Sequence, residues 1–562
     1  MTITTTKNTL SFPGHSLGEF ANNYAFAITK ADGSVVTWGS STYGGDSSAV
    51  ATQLNGSVGV TQVFSSAFAF AALRTDGSVI TWGTYAGDSS AVAAQLDGTV
   101  DVTQIFSTVG AFAALRVDGS VVTWGSSAYG SDSSSVATLI NGTIDVTQIF
   151  STTNSFAALR TDGSVVTWGN HYDGGDSSTV AIGLNGSVDV TQIFSTDTAF
   201  AALRTDGSVI TWGNSVGGGD SSAVATGLNG SVDVTQVFST DTAFAALRTD
   251  GSVVTWGYST YGGDSSSVTA QLNGTVDVTQ IFSTNDAFAA VRADGSVVTW
   301  GNSTHGGDSS PVAAQLNGTV DVTQISSTYD AFAALRSDGS VVTWGDSNYG
   351  GNSSAVAAQL NGTVVQIFST SAAFAALRSD GSVVTWGSSS SGGDSSLVAA
   401  QLNGTVDVVT IYTLGSAFAA LRTDGSIITW GNSSAVAGQL TSGVVGAANI
   451  ATNDVYINHA PTGTVSIAGT FTQGQTLTAN NTLADADGLG AITYTWMSGA
   501  SVLGTGGSYV LQAGDVGHTL TVTASYTDLD GKAESKASAA TGMVGTVVLG
   551  TAGADTLTGT AG

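Results

Sequence analysis

The sequence predicts an all-β fold: a propeller-like array of ten short antiparallel blades, either a closed ring or an open superhelix, followed by a β-sandwich module. A Trp-Gly pair recurs ten times at intervals of 42 or 44 residues, and a fixed period of this size is typical of stacked repeat units. With Gly 74 and Pro 3, the composition favours short strands and glycine turns over helices. The tryptophans are Trp38, Trp82, Trp124, Trp168, Trp212, Trp256, Trp300, Trp344, Trp386 and Trp430.

One repeat unit predicts three strands and a long connection. In the fifth copy, residues 190–194 alternate apolar and polar side chains as a half-buried strand does. Residues 199–204 form the second strand, Asp206-Gly207 supplies a hairpin turn, and residues 209–212 form the third. Two of the intervals are shorter by two residues, a change that preserves which face of a strand each side chain occupies.

Changes in composition divide the chain into four segments. Residues 1–17 are a polar lead-in, 18–458 the ten-unit array, 459–545 a separate β-sandwich and 546–562 a periodic glycine-rich segment. Residues 444–457 repeat the pattern of a first and second strand, and we expect them to cover an open edge of the array.

The charge balance excludes several classes of function. Lys+Arg 13 against Asp+Glu 41 gives a net charge of -28, which disfavours nucleic acids and anionic lipids and suits calcium. The absence of cysteine removes thiol chemistry, and no apolar run approaches the roughly 20 residues of a membrane helix. The histidines share no spacing from which a catalytic set or a metal triad can be nominated. We therefore predict a protein that is not an enzyme, does not bind nucleic acid and does not insert into membranes.

The run Leu-Arg-x-Asp-Gly-x-Val-x-x-Trp-Gly, as in residues 203–213, resembles the repeat of the regulator of chromosome condensation family, a β-propeller. The likeness covers roughly residues 18–457. Three-stranded relatives occur in bacterial secreted proteins, among them a β-lactamase inhibitory protein. Family propellers usually close with seven blades, whereas ten units stand here. No residues match those of the family's nucleotide-exchange function, so the resemblance implies the fold and not that activity.

Two further resemblances concern the C-terminal part. Residues 481–488 and Trp496 resemble the immunoglobulin-like modules of bacterial surface proteins, with Trp496 as the buried tryptophan. Residues 550–558 resemble the repeats-in-toxin nonapeptide, which implies calcium held by Asp555 and export without a cleaved N-terminal signal. The loop aspartates of the sandwich either gather as a second calcium site or are simply solvated. These aspartates are Asp485, Asp487, Asp528 and Asp530.

Several side chains recur too regularly to form a single site. We expect the tryptophan and phenylalanine rows to pack blade against blade. All nine arginines occupy one repeat position, where we expect each to clamp an aspartate or carbonyls. The aspartates of the Gly-Gly-Asp-Ser-Ser loops are expected to cap turns, since one carboxylate is too few for calcium.

Two loops of each unit are predicted to emerge on one face and to vary between copies: the turn after the first strand and the loop after Trp-Gly. Variable, tyrosine-bearing loops on a rigid scaffold are typical of binding surfaces; the alternative is drift in unconstrained loops. The predicted ligand-binding residues are Tyr43, Tyr129, Tyr261, His305 and Tyr349.

The sequence therefore predicts a non-enzymatic bacterial protein, extracellular or at the cell surface, that binds or adheres through this face. A protein or glycan is the expected ligand, with calcium as the expected cofactor of the C-terminal segment. Two alternatives remain open: a structural component of a surface layer or matrix that associates with itself, and a secreted protein-binding inhibitor.

Overall fold

The computed structural model describes residues 22, 25–30, 32–424, 426–431, 462–484, 491–499, 501–527 and 533–546. The chain divides into two compact units, Met1–Asn453 and Asp454–Gly562. In the described residues the first unit holds ten separate antiparallel sheets, named blades 1 to 10 in chain order, and the second holds two more. The predicted all-β array followed by a sandwich is confirmed. The lead-in 1–17 and the predicted edge-covering residues 444–457 lie outside the described residues.

Blade 1 is described as two paired strands, and blades 2 to 10 have three strands each, paired in chain order. The strands of blades 1 to 5 are β1 (Ala25–Thr29), β2 (Val35–Gly39), β3 (Val60–Ser65), β4 (Ala69–Arg74), β5 (Val79–Gly83), β6 (Val102–Ser107), β7 (Ala111–Arg116), β8 (Val121–Gly125), β9 (Val146–Ser151), β10 (Ser155–Arg160), β11 (Val165–Gly169), β12 (Val190–Ser195), β13 (Ala199–Arg204) and β14 (Val209–Gly213). Those of blades 6 to 10 are β15 (Val234–Ser239), β16 (Ala243–Arg248), β17 (Val253–Gly257), β18 (Val278–Ser283), β19 (Ala287–Arg292), β20 (Val297–Gly301), β21 (Val322–Ser327), β22 (Ala331–Arg336), β23 (Val341–Gly345), β24 (Val364–Ser369), β25 (Ala373–Arg378), β26 (Val383–Gly387), β27 (Val408–Leu414), β28 (Ala417–Arg422) and β29 (Ile427–Gly431).

Short helical turns, all but one of the 3-10 type, fill the connection between one blade and the next. In blades 1 to 5 they are Ser41–Tyr43, Ser48–Val50, Ser90–Gln95, Ser127–Tyr129, Ser134–Val136, His171–Asp173, Ser178–Leu184, the π-type turn Ser215–Gly219, and Ser222–Gly227. In blades 6 to 9 they are Ser259–Tyr261, Ser266–Gln271, Ser303–His305, Ser310–Gln315, Ser347–Tyr349, Ser354–Gln359, Ser389–Ser391 and Ser396–Gln401.

The middle strand of each of blades 2 to 10 is buried on both faces. In β13 every residue except the terminal Arg204 is buried, and Ala199, Phe200, Ala201 and Ala202 are fully so. A strand covered on both sides reads as a continuous apolar run, and alanine lets the neighbouring blades approach closely. The core is therefore a series of layers between consecutive blades.

Each layer is closed by a phenylalanine and the tryptophan of the Trp-Gly pair. Phe244 and Trp256 of blade 6 stack with ring centroids 5.2 Å apart. The indole Nε1 of Trp256 donates to the backbone oxygen of Gly218 in the preceding connection at 3.0 Å. The predicted blade-to-blade packing of both rows is confirmed. Gly218 has φ of +98°, and an added Cβ would lie 2.6 Å from the Phe244 ring, so this contact requires glycine.

The Asp-Gly turns form one edge of the array. Asp206 accepts a hydrogen bond from the Ser208 backbone N–H at 3.1 Å, and the Arg204 guanidinium donates to the Ser208 hydroxyl at 2.7 Å. The same guanidinium lies 3.4 Å from Asp206. Equivalent Arg–Asp pairs occur in all of blades 2 to 10. The predicted arginine clamp is confirmed, and it acts within a single hairpin.

The shorter ninth unit keeps its strand register. Val364 pairs with Arg378, as Val322 pairs with Arg336 in the preceding blade. The two missing residues therefore fall in the turn before β24, and the core face of the strand is unchanged.

The second unit packs two sheets around one apolar core. Its strands are β30 (Val465–Ala468), β31 (Thr476–Asn481), β32 (Thr493–Ser498), β33 (Ser501–Thr505), β34 (Ser508–Val510), β35 (Thr521–Thr527) and β36 (Ala533–Ala537). One sheet has the order β30-β31-β34 and the other β33-β32-β35-β36. Trp496 is fully buried between them, and its Nε1 donates to the Gly506 oxygen at 2.9 Å, as predicted for a sandwich tryptophan.

Candidate functional site

A ladder of backbone hydrogen bonds connects blades 2 to 10 at the turn after the first strand. The Asp197 N–H donates to the Asp241 oxygen at 2.9 Å, and the Asp241 N–H donates to the Asn285 oxygen at 2.9 Å. Such bonding places equivalent side chains about 5 Å apart, as between neighbouring strands. The ladder residues are Ala67, Val109, Thr153, Asp197, Asp241, Asn285, Tyr329, Ser371 and Gly415.

The loop after each Trp-Gly pair is fixed beside this ladder. The hydroxyl of Thr240 donates to the Tyr261 backbone oxygen at 3.0 Å, and that of Thr284 to the His305 oxygen at 2.9 Å. The prediction that both variable loops emerge on one face is confirmed. We call the nine ladder turns, together with the adjoining loops after Trp-Gly, the loop column.

The predicted ligand-binding residues lie along the loop column, one to a blade. Each ends a short 3-10 turn and each is partly buried. They do not converge on one pocket; each meets residues of its own or a neighbouring blade instead. Their role in binding stays a prediction. These residues are Tyr43, Tyr129, Tyr261, His305 and Tyr349.

Blades 1 to 3 give the column an aromatic end. Consecutive ring centroids are 5.4 Å apart for Tyr43 and Phe68, 5.3 Å for Phe68 and Tyr85, and 6.1 Å for Tyr85 and Tyr129. Tyr85 is 57% exposed and has φ of 55°, a backbone conformation that is uncommon for tyrosine. Gly110 lies against the Tyr129 ring, where a Cβ would come within 2.7 Å. These four side chains, called the aromatic end below, form a row of neighbouring rings in which Tyr85 is exposed and the other three are half-buried.

Blades 5 to 8 give the column an acidic end. Asp197 and Asp241 are successive ladder residues, and Asp286 and Asp330 follow the ladder residue in blades 7 and 8. Burial and the charges of the other three raise the pKa of Asp241 to about 8. Burial, together with Asp286 and Asp346, also raises the pKa of Asp330 against the opposing effect of His305. Like charges stacked on neighbouring blades oppose one another's ionisation. These four aspartates are the acidic end.

His305 lies between two of these carboxylates. Its Nδ1 is 2.6 Å from the Asp286 Oδ2 atom within blade 7 and 3.3 Å from the Asp330 Oδ1 atom of blade 8. The sequence nominated no metal triad; in the structure, one ligand atom from each of these three residues lies within 4.8 Å of the other two, so they could hold an ion. Spacing could not reveal them, because Asp330 reaches His305 only through the offset between blades.

Other polar residues serve the scaffold. Asp220 of the Gly-Gly-Asp-Ser-Ser loop accepts from the Ser222 N–H at 2.9 Å, which confirms the predicted turn-capping role. A groove of about 600 Å³ beside Arg204, Ile210 and Leu228 is lined by residues whose types recur from blade to blade, so it offers little distinctive chemistry.

The predicted calcium ligands fall outside the described residues. These are Asp485, Asp487, Asp528, Asp530 and Asp555. Among the residues that the structure describes, no helix has the length and apolar character needed to cross a bilayer.

Residues 322–350, from the start of β21 into the loop after β23, match the regulator of chromosome condensation (RCC1) repeat family. The blade is therefore an RCC1-type repeat, as the sequence predicted. Comparison with curated proteins gives no match.

The solved structures to which this chain is similar include two plant proteins and one yeast protein. The ectodomain of the Physcomitrella patens receptor kinase CR4 is 15% identical, with a TM-score of 0.29 over 52% of this chain and 74% of that one. The CRINKLY WD40 ectodomain of Arabidopsis thaliana ACR4 is 15% identical, with a TM-score of 0.27 over 50% of this chain and 93% of that one. Prp20p from Saccharomyces cerevisiae is 17% identical, with a TM-score of 0.28 over 43% of this chain and 72% of that one.

Proposed function

We propose that the repeat array is a non-catalytic domain that binds a protein partner along the loop column. The observation that carries this proposal is the distribution of variation within one repeat. The Arg–Asp–Ser hairpins and the Phe–Trp stacks recur from blade to blade, whereas the side chains of the loop column differ. A rigid scaffold that presents different side chains at fixed positions is suited to recognition.

The chemistry of the column indicates the kind of partner. The aromatic end suits apolar side chains, since exposed tyrosine and phenylalanine supply contact area at little entropic cost. The acidic end suits lysine or arginine, and the net charge of -28 attracts a basic partner over distance. A protein segment with apolar residues at one end and basic residues at the other fits both regions.

An extracellular bacterial setting is part of the proposal. Adhesion at the cell surface is consistent with the acidic, cysteine-free composition and with the resemblances of the C-terminal part. There, the sandwich acts as a spacer and the last segment binds calcium. Two alternatives are a glycan ligand and self-association within a surface layer. The binding and sedimentation experiments below distinguish both from a protein partner.

The decisive experiment compares the full chain with a variant of the aromatic end. Extracellular proteins retained by the immobilised wild type are identified, and each affinity is then measured by surface plasmon resonance against Tyr85→Ala/Tyr129→Ala. Loss of central aromatic contacts costs about 2 kcal/mol each when they are hot spots, so binding is expected to weaken by at least roughly 30-fold.

The control is Val117→Ala, because Val117 is 67% exposed and lies in the Asp-Gly hairpin of blade 3, outside the loop column. Binding that is equally strong in the double variant and in wild type would contradict the proposal. Dimerisation of the wild type in sedimentation velocity, lost in the double variant, would select self-association. Capture of glycans alone would select a carbohydrate ligand.

A further inference from the structure

Beyond partner binding, the geometry points to a divalent metal site of the zinc type formed by Asp286, His305 and Asp330. Asp286 and His305 belong to blade 7, and Asp330 belongs to blade 8. A bound ion would link two consecutive blades through one imidazole nitrogen and two carboxylate oxygens.

The distances suit such an ion. One ligand atom from each residue lies within 4.8 Å of the other two. Zinc bonds to nitrogen and oxygen of about 2.0–2.2 Å place neighbouring ligand atoms of a tetrahedron roughly 3.3 Å apart. The His305–Asp330 separation is 3.3 Å, and the His305–Asp286 separation of 2.6 Å needs only a small outward movement of one carboxylate.

Hydrogen bonds alone do not balance the negative charge of this cluster. A single Nδ1 atom carries at most one proton, yet it faces two carboxylates. The guanidinium groups of the two blades are paired at the opposite edge: Arg292 with Asp294 at 3.2 Å and Arg336 with Asp338 at 3.5 Å. A dication would balance the two carboxylates that face this single imidazole nitrogen.

Backbone hydrogen bonds fix the loops that carry the two aspartates, and all three side chains are largely buried but keep some exposure to solvent. The backbone oxygen of Asp286 accepts a hydrogen bond from the Asn302 N–H, and the backbone oxygen of Asp330 accepts one from the Asp346 N–H, both at 2.9 Å. The side chains of Asp286, Asp330 and His305 are 12%, 13% and 27% exposed. An ion can therefore enter from water and retain a water ligand, as an open zinc site does.

A second histidine provides a matched control. His171 lies in the equivalent loop of blade 4, where its Nδ1 is 3.0 Å from Asp176. Its side chain is 68% exposed, and it belongs to no three-residue cluster among the described residues. His171→Gln removes a histidine–aspartate pair of the same kind without removing a converging set of ligands.

The test titrates metal-free full-length protein with Zn²⁺ by calorimetry and with Co²⁺ by visible absorption. We expect the wild type and His171→Gln to bind one more equivalent than His305→Gln or Asp330→Asn. The Co²⁺ band of a nitrogen–oxygen site should disappear in the latter two. Binding should weaken by more than the roughly 10–100-fold typical of losing an outer-shell partner.

Two results would overturn the site: equal Zn²⁺ stoichiometry in the wild type and His305→Gln, or loss of the same equivalent in His171→Gln. Melting of each metal-free variant establishes that it is folded, and Asp286→Asn provides a third variant if one of the others is not. Ions bound at other sites add equally to the stoichiometry of every variant, so they do not affect the comparison. Because the probe is the metal alone, the outcome is independent of the proposed protein partner.

Discussion

The two edges of each blade are formed by the same three strands, yet they differ in how their charges are compensated. At the Asp-Gly edge, the turn aspartate of each of blades 2 to 10 is paired with the arginine two residues before it. At the loop column, aspartates stack on aspartates, with His305 between two of them. Pairing that recurs in each unit is typical of a scaffold, whereas clustered carboxyl groups on neighbouring blades are the feature on which the proposed ligand surface rests.

Two aspartates show this difference in opposite pKa directions. Hydrogen bonds from the Ser340 hydroxyl and backbone, aided by Arg336, lower the pKa of Asp338 at the Asp-Gly edge. Burial and neighbouring carboxylates raise the pKa of Asp241 in the loop column to about 8. The folded state therefore favours the ionised form of Asp338, whereas ionisation of Asp241 lowers the free energy of unfolding.

The largest expected effect comes from a change that breaks the layer shared by both edges. Phe244→Ala removes a fully buried ring that stacks on Trp256, and such a cavity costs about 3–5 kcal/mol. Denaturant unfolding measures the loss. Leu397→Ala is the control, because Leu397 is 98% exposed and should change the free energy of unfolding by less than roughly 0.5 kcal/mol. Equal effects of the two changes would contradict the layered core.

The next largest effect is a difference between the two edges in how stability depends on pH. Because the folded-state pKa of Asp241 is about 8 against an ordinary 3.8, its stabilising contribution is complete below pH 4 and declines as the pH rises to 8. Asp241→Asn should therefore become progressively more stable than wild type as the pH rises from about 4 to about 8. Thermal melts in metal-free buffer provide the measurement.

For the control at the Asp-Gly edge, stability depends on pH with the opposite sign. Asp338 has a lowered pKa, so its contribution is present at neutral pH and declines in acid. Asp338→Asn should be slightly destabilised at neutral pH, with the difference vanishing as the pH falls. A matching pH dependence in the two variants would contradict the contrast between the edges.

The smallest effect is expected at the clamp itself. Arg336 lies 3.5 Å from Asp338, whose side chain is 45% exposed, and pairs of this kind contribute at most about 1 kcal/mol. Arg336→Gln should therefore shift chemical unfolding only slightly and leave partner binding unchanged. A loss comparable with that of Phe244→Ala would show that the edge contributes more than local compensation.

The sequence revealed what depends on periodicity. The 44-residue repeat, the alternation in the first strand and the Asp-Gly turns predicted three-stranded blades and a common face for two loops. The period also identified Trp256 as packing rather than a ligand site, since a residue repeated in each unit must meet the same partner each time.

What depends on the offset between blades was not predictable. Asp330 meets His305 from the next unit, and no spacing within a unit encodes that approach. Tyr85 was missed because its loop is two residues shorter, so it does not align with Tyr43 and Tyr129, although the rings lie in one row. Contacts across the repeat boundary thus define both ends of the column.

The backbone ladder has a consequence for how such a protein changes length. Each turn bonds only to its neighbours in the described blades, so gene duplication or deletion of one whole unit would leave every remaining bond in register. The near-identical units favour such recombination. An organism could in this way lengthen the proposed recognition surface, or reorder its aromatic and acidic segments, while the core of each unit stays unchanged.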